Sequence, residues 1–141
     1  PSGAVGGLDA IRAASIAKIS EVSLTTTKSP KALNLKIKNK KTLFRGNAAE
    51  AIMKFPENVN VAVTLSLASL GPEKTRVRIV ADPKANKNVH EINAKGDFGE
   101  FSFTVKNVPS PENPKTSYLA ALSAIAAGGV SMPISATDLA P

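Results

Sequence analysis

The alternation of hydrophobic and polar positions predicts the strands of this protein. Alternation runs through KTRVRIVADP, NVHEINAKG and GEFSFTVKNV, EVSLTTTKS is rich in β-branched residues, and KTLFRG has the length of a short strand. Alternation over six to ten residues is typical of strands that bury one face. We therefore predict five strands, and we expect the last three, within residues 74–83, 88–96 and 99–108, to form an antiparallel meander with one buried face.

Helical periodicity predicts one helix near each end of the chain. The first follows the glycine-rich loop PSGAVGG, and the second follows the proline-rich turn PSPENPKTS. Five apolar residues share one face of the first helix: Val5, Leu8, Ile11, Ile16 and Ile19. Five residues form the buried stripe expected for the second: Tyr118, Leu119, Leu122, Ile125 and Ala126. Both helices are therefore predicted to pack on other elements.

The centre of the chain contains one clear helix and one ambiguous segment. Asn47 and Glu50 have the spacing of a capping box, which predicts a helix over residues 48–55 that ends before Pro56. The uncharged segment NVNVAVTLSLASL, residues 58–70, alternates like a strand, but its length suits a buried helix. Periodicity alone leaves both assignments open.

Together these segments predict an α+β fold with a mixed, largely antiparallel sheet and helices packed on one face. The length of 141 residues fits one domain with its own core. No apolar run is long enough to cross a membrane, and no secretory signal precedes the first helix. The chain has no cysteine, which excludes a disulfide framework and a thiolate nucleophile. We expect a cytoplasmic protein with no membrane partner.

The formal charge of +7 raises the question of a nucleic-acid partner. The densest basic run is KIKNKK, residues 36–41, and no aromatic stacking platform lies near it in the sequence. Lysines on an edge strand discourage aggregation between sheets, and a basic surface also attracts anionic ligands. We therefore predict no nucleic-acid partner and keep a basic structural or RNA-associated protein as the least favoured alternative.

The candidate chemistry centres on His90, the single histidine. Strand alternation places His90 on the same face as Ile92 and Asn88. The residue is therefore either a satisfied core histidine or a proton shuttle. Residues 25–28, TTTK, supply hydroxyls and an ammonium that are suited to carboxylates, and the loop PSGAVGG offers backbone N–H groups at a helix start. No cluster with metal-ligand spacing is evident, so no metal is predicted.

Several stretches taken in order resemble the C-terminal domain of the L-aspartate dehydrogenase family. They are PSGAVGGLDAIRAA, EVSLTTTKSPKAL, LFRGNAAEAIMKFPENVNVAVTLSLAS, VRIVADPKANKNVHEI and GDFGEFSFTVKNVPSPENPKTSYLAALSAIA. The resemblance implies a catalytic and dimerisation domain over residues 1–127, followed by an extended tail or linker over 128–141. It implies oxidation of L-aspartate to iminoaspartate with NAD or NADP, a step of NAD biosynthesis. It also implies a homodimer and a partner Rossmann domain that this chain does not contain.

The resemblance assigns roles to individual residues. In NVHEI it makes His90 the catalytic residue, and in SGAVGG and ENVNVA it makes Ala4 and Asn60 cofactor contacts, with the nicotinamide over the loop that includes Gly3. Four residues are the weaker expectations for the substrate carboxylates: Thr25, Thr26, Lys28 and Asn88. The resemblance also makes 58–70 a helix, with Val59, Val63, Leu67 and Leu70 on one face. The alternative is a non-catalytic ligand-binding or interaction module with the same fold.

Overall fold

The structure is a computed structural model that describes residues 6–113 and 116–128. Four helices and five strands follow one another along it. They are α1 (Leu8–Ala14), β1 (Ile19–Lys28), β2 (Lys41–Asn47), α2 (Ala48–Lys54), α3 (Asn60–Ala68), β3 (Arg76–Ala81), β4 (Asn88–Gly96), β5 (Gly99–Asn107) and α4 (Tyr118–Ala127). A short 3-10 helix, Lys31–Leu33, follows β1. No helix among these residues has the length and apolar character needed to cross a bilayer.

The five strands form one mixed sheet in the order β2-β3-β1-β4-β5. β1 runs parallel to β3, and every other neighbouring pair is antiparallel. This confirms the predicted α+β class with a largely antiparallel sheet. The predicted meander of the last three strands is wrong, because β1 lies between β3 and β4. Alternation identifies the buried face of each strand but not its neighbours, and only β4 and β5 form the expected hairpin.

One face of the sheet carries the core. Val22 and Leu24 of β1 are buried there beside Ile79 of β3 and Ile92 of β4, and helices α1, α2 and α3 contribute apolar residues to the same cluster. Burial along β1 and β4 alternates with a period of two, as a sheet with helices on one face requires. The sequence expectation of helices on one face is therefore confirmed for these three helices.

The first helix is shorter than its periodicity suggested. Leu8 and Ile11 are buried as expected, and Ala14 is buried beside them, but α1 ends at Ala14 and Ile16 is 92% exposed. Ile19 is buried as the first residue of β1 instead. Ser15 closes the helix by donating its hydroxyl hydrogen bond to the Ile11 carbonyl at 2.9 Å, so the chain turns before the pattern is complete. Val5 lies outside the described residues.

The structure shows two helices, α2 and α3, in the centre of the chain, where the sequence predicted one helix and left a second segment ambiguous. The Asn47 side chain accepts from the Glu50 N–H at 2.9 Å, and the Glu50 carboxylate accepts from the Asn47 N–H at 3.2 Å, so the predicted capping box is confirmed. Residues 60–68 are helical, as the resemblance implied. The predicted face of α3 is wrong. The helix instead buries Val61, Ala62, Leu65 and Ser66, while Leu67 is exposed.

The face of α3 could not be read from the sequence because apolar residues occur on every side of it. Val59 is buried, as expected, but it precedes the helix as its N-cap residue. The orientation of the helix is therefore set by its packing against α1 and α2 rather than by its own pattern.

The last helix does not bury its apolar stripe within this chain. Tyr118, Leu119, Leu122 and Ile125 of α4 are each between 41% and 48% exposed, and Ala126 is exposed as well. The prediction of a buried stripe is wrong for the described residues. Local periodicity indicates that a helix has an apolar face, but it cannot indicate whether this chain supplies the surface that covers it. Apart from Gly128, the predicted tail lies outside the described residues.

Candidate active site

His90 lies on the helix-covered face of the sheet, where only 4% of it is exposed. Its register partner on β1 is Thr26, and the Thr26 hydroxyl and the His90 Nδ1 are 2.9 Å apart. The hydrogen bond fixes the plane of the imidazole. Which group donates depends on the tautomer of the ring. Nε2 has no hydrogen-bond partner among the described residues, so it is the ring nitrogen left for a ligand.

The imidazole is held in its neutral form. Burial, reinforced by the positive charge of Lys28, lowers the pKa of His90 from 6.5 to about 4. Desolvation penalises the imidazolium, and a nearby cation adds to that penalty. At neutral pH the ring therefore has one N–H group and one lone pair, which is the state that accepts a proton and donates a hydrogen bond.

Lys28 is the second buried polar group of the site, with 7% of it exposed. Its Nζ donates a hydrogen bond to the Asn58 side-chain oxygen at 3.0 Å. Burial lowers the pKa of the Lys28 ammonium. The ion pairs among the described residues, Arg76–Glu21 and Lys95–Glu100, lie on exposed surfaces and do not involve Lys28. The site therefore contains a buried cation next to a neutral imidazole.

Asn88 completes the group on the same face of β4. It lies two residues before His90, is buried, and lines a cleft of about 520 Å³ at the end of the sheet. Ser29, Asn34 and Lys87 also line this cleft, whereas His90 does not. Asn88 thus lies on the same strand face as the buried histidine and at the edge of an open cleft.

The structure brings together four of the five residues predicted for catalysis and substrate binding: Thr26, Lys28, Asn88 and His90. Thr25 is the exception. Its register partner is Glu91, so Thr25 lies on the opposite face of the sheet from His90. Successive residues of a strand point to opposite faces, so Thr25 and Thr26 cannot both line one site. Thr25 therefore does not join the group formed by Thr26, Lys28, Asn88 and His90.

The predicted cofactor residues lie at the margin of this group or outside the described residues. Asn60 is exposed as the first residue of α3, and it follows Asn58 by two positions. Gly3 and Ala4 lie outside the described residues. The loop that they precede approaches β5, because a Cβ atom on Gly6 or Gly7 would press against the Phe103 ring, and Gly7 has a φ of 76°. Only glycine fits that approach without displacement.

Sequence reasoning missed Asn58. The segment ENVN was singled out for Asn60, but no periodic signal indicates that Asn58 reaches β1, thirty residues earlier in the chain. The contact depends on the turn between α2 and α3, where the Asn58 N–H donates to the Phe55 carbonyl at 2.9 Å. A tertiary contact of this kind has no local sequence signature.

The fold has a solved counterpart. A crystal structure of aspartate dehydrogenase from Thermotoga maritima superposes with a TM-score of 0.68 at 40% sequence identity, over 74% of this chain and 44% of that chain. The fold therefore places this chain in the class of α+β domains that form part of an aspartate dehydrogenase chain, here matching 44% of the Thermotoga protein.

The family follows from sequence. A family model described as the C-terminal part of aspartate dehydrogenase matches residues 9–129. This chain is 53% identical over 137 residues to an L-aspartate dehydrogenase of Methanosarcina mazei, covering 89% of this chain and 51% of the relative. It is 47% identical over 137 residues to one of Nitrosopumilus maritimus, covering 89% and 50%. The chain belongs to the aspartate dehydrogenase C-terminal family, and it spans about half the length of these relatives.

Proposed function

We propose that this chain is the catalytic domain of an NAD(P)-dependent L-aspartate dehydrogenase, which oxidises L-aspartate to iminoaspartate. The observation that carries the proposal is the buried pair of Thr26 and His90 beside the Lys28 ammonium. A core histidine needs a partner for its ring, but it does not need a buried cation that penalises its protonated form. An acid–base histidine needs the partner that orients its ring, and a carboxylate site beside it needs the buried cation.

The cofactor in this proposal is NAD or NADP. Two features of the described residues fit a nicotinamide: Asn60 is exposed at the start of α3, and the Gly6–Gly7 backbone approaches β5 more closely than a side chain permits. Asn60 and the loop of Gly3 and Ala4 would hold the ring. A nicotinamide bound there supplies the hydride acceptor of the oxidation. The Rossmann domain that binds the rest of a dinucleotide is proposed as the partner of this domain.

His90 is the proposed acid–base residue. Thr26 fixes the ring through Nδ1 and thereby orients Nε2. In the neutral form Nε2 can receive the proton that the substrate amino group or an attacking water loses, and can return it in the reverse amination. Positioned general acid–base catalysis of this kind contributes about 10²–10⁴-fold to a rate.

The substrate carboxylates are assigned to Lys28 and Asn88. A buried ammonium pairs strongly with a carboxylate because little water competes for either charge. The Asn88 amide adds a hydrogen-bond donor at the margin of the cleft. Thr26 was also predicted to bind substrate, but its hydroxyl contacts His90, so we assign it the orientation of the imidazole.

The remaining parts of the proposal concern the complete protein. We propose a homodimer, and the exposed apolar stripe of α4 supports it, because monomers rarely leave such a face uncovered. We further propose a cytoplasmic enzyme that contributes to NAD biosynthesis. An analytical ultracentrifugation run on the complete protein tests the dimer, and a Leu122→Lys variant should shift the equilibrium towards monomer.

The experiment that tests the activity uses the complete protein that contains this chain. Steady-state turnover of L-aspartate with NAD and with NADP is compared among the parent protein, His90→Ala and Glu91→Gln. Glu91 is a matched control because it is adjacent in β4 but exposed on the opposite face. We expect His90→Ala to lose 10²–10⁴-fold in turnover, on the order of a general acid–base contribution. Glu91→Gln should retain it.

The same experiment separates the alternative. If the parent protein neither binds nor turns over L-aspartate with either cofactor, the non-catalytic ligand-binding module replaces the enzyme. If turnover is present and His90→Ala leaves it unchanged, the enzyme stands but the role of His90 is wrong.

A further inference from the structure

The contact between Lys28 and Asn58 connects the turn after α2 to the end of β1. Asn58 is half-buried, and its backbone N–H is held by the Phe55 carbonyl at 2.9 Å. Val59, the next residue, is anchored in the core. The Asn58 amide is therefore a fixed acceptor, and its oxygen lies 3.0 Å from the Lys28 Nζ. A flexible lysine side chain is thereby held in one place.

The position in which Lys28 is held lies beside the imidazole. Thr26 is directly opposite His90, and Lys28 follows two residues later on the same face of β1. Diagonal neighbours across an antiparallel pair are about 7–8 Å apart, which is within reach of a lysine side chain. The ammonium and the ring are close enough for the Lys28 charge to act on His90.

Among the described residues, no acidic side chain forms an ion pair with Lys28. The Asp82 N–H donates to the Lys28 carbonyl at 2.9 Å, but the Asp82 carboxylate accepts from the Lys84 N–H, and Glu57 beside Asn58 is exposed. Of the neighbouring charged groups, Glu91 of β4 and Lys106 of β5 lie on the other face of the sheet, as their register positions require. The α3 residues that line the core are uncharged. A neutral amide meets one of the three ammonium donors of Lys28, so a counter-charge has to come from a ligand.

We propose that Asn58 is a positioning residue that holds the Lys28 ammonium beside His90, so that a ligand carboxylate bound at Lys28 controls the protonation of His90. The proposal rests on the function proposed above and adds a regulatory step to the same site. Without ligand, the Lys28 charge disfavours the imidazolium. With a carboxylate paired to Lys28, that charge is compensated and the imidazole regains its ability to take a proton.

In the reaction, carboxylate binding would therefore precede proton transfer to His90. The acid–base residue becomes competent when a carboxylate occupies the site, and it stays neutral and inert when the site holds water. A dicarboxylate substrate would therefore prepare its own proton acceptor. A molecule that lacks the carboxylate near Lys28 should bind without activating His90, which gives the site selectivity for acidic substrates in addition to affinity.

The single histidine makes the proposal directly measurable. The proton resonances of the imidazole report His90 alone, so its titration midpoint is followed by NMR in this chain across the pH range in which it stays folded. Succinate is the ligand probe because it has two carboxylates and no amine. Chloride at equal ionic strength is the control for non-specific screening.

Three variants separate the roles of the residues. Asn58→Asp places a permanent carboxylate on Lys28 with almost no change of shape, so it should raise the midpoint by about 1 pH unit or more without ligand and should weaken succinate binding at least tenfold. Lys28→Met should raise the midpoint without ligand and should remove any further effect of succinate. Asn58→Leu should weaken succinate binding severalfold, because Lys28 is no longer held.

The outcomes decide the proposal independently of activity. A midpoint in Asn58→Asp equal to that of the parent chain would overturn it, even if succinate binds too weakly to saturate the isolated chain. A succinate-induced rise that persists in Lys28→Met would overturn it as well. If the midpoints move as stated while His90→Ala remains fully active in the complete protein, the linkage stands and the catalytic role fails. If the midpoints do not move while His90→Ala loses activity in the complete protein, the catalytic role stands and the linkage fails.

Discussion

The two ends of the β1–β4 strand pair bury different kinds of side chain, and these side chains have different roles. Where β1 and β4 lie under the helices, Leu24 faces Ile92 and Val22 faces Ala94, and all four are buried. At the other end Thr26 faces His90, with Lys28 and Asn88 beyond them, and these four are also buried. The backbone pairing is continuous, so the side chains alone make the first end a core and the second end a site.

The comparison indicates that burial at the two ends has opposite effects on stability. Apolar burial stabilises the fold by about 25 cal/mol per Å² removed from water, whereas a buried ammonium without a counter-ion destabilises it. The polar end is therefore retained at the expense of stability, which is the usual mark of a site kept for function. Removing an apolar side chain at the first end should lower the free energy of unfolding, whereas removing the buried charge at the second end should raise it.

The largest expected effect is at the apolar end. Ile92→Ala should lower the free energy of unfolding by about 4 kcal/mol, because it removes a fully buried side chain and leaves a cavity under the helices. Chemical denaturation followed by circular dichroism measures the change. The matched control is Asn93→Ala, one residue later and exposed on the other face, which should change the free energy of unfolding by less than about 0.5 kcal/mol. Equal effects of the two variants would contradict the assignment of the faces.

The next effect is the pH dependence that His90 gives to stability. The folded protein keeps His90 neutral down to a pKa of about 4, whereas the unfolded chain takes up a proton near 6.5. The unfolded state therefore binds more protons between these values, and the free energy of unfolding should fall by about 3 kcal/mol as the pH decreases from 6.5 to 4.

Denaturation curves of the parent chain and His90→Gln, compared at each pH, isolate this contribution from that of the carboxylates. The difference between the two proteins should be constant above pH 7 and should change steadily below pH 6.5. A difference that stays constant down to pH 4 would show that His90 titrates alike in the folded and unfolded chains.

A smaller effect of opposite sign is expected at Lys28. Lys28→Met keeps most of the side-chain volume and removes the desolvated charge, so it should raise the free energy of unfolding by about 1–3 kcal/mol. Thermal unfolding at neutral pH measures it, with Lys95→Met as the exposed control. In the complete protein the same variant should raise the KM for L-aspartate. Destabilisation by Lys28→Met would mean that the ammonium is already satisfied in the free chain.

The smallest effect is expected at Thr26. Thr26→Val preserves the shape of the residue and removes the hydrogen bond to His90 Nδ1, which should lower the free energy of unfolding by about 1 kcal/mol. Turnover of the complete protein should fall as well, because the imidazole loses its orientation. Thr25→Val, on the opposite face, is the matched control and should leave turnover unchanged. Equal turnover of the two variants would remove Thr26 from the site.

Features with a fixed period or spacing could be predicted from the sequence. The alternation in NVHEINAKG placed Asn88, His90 and Ile92 on one buried face, and the spacing of Asn47 and Glu50 predicted the start of α2. Both depend on residues close together in the chain. The same periodicity, applied to TTTK, separates Thr25 from Thr26 and would have assigned only Thr26 to the side of His90.

Features that depend on distant contacts could not be predicted. Nothing in the alternation of β1 indicates that it lies between β3 and β4, since any strand with one apolar face fits several neighbours. Asn58 reaches Lys28 through a turn whose shape is fixed by tertiary packing. The stripe of α4 was correctly recognised as apolar, but its exposure depends on surfaces beyond the helix itself.

The most direct test of the account is the protonation state of His90 in the unliganded chain. Burial and the Lys28 ammonium keep the imidazole neutral, and the single histidine of this chain gives one set of imidazole resonances to follow. At pH 5.5 the NMR spectrum should show His90 still in its neutral form. An imidazole that is already about 90% protonated at that pH, as expected for an ordinary histidine with a pKa near 6.5, would contradict it.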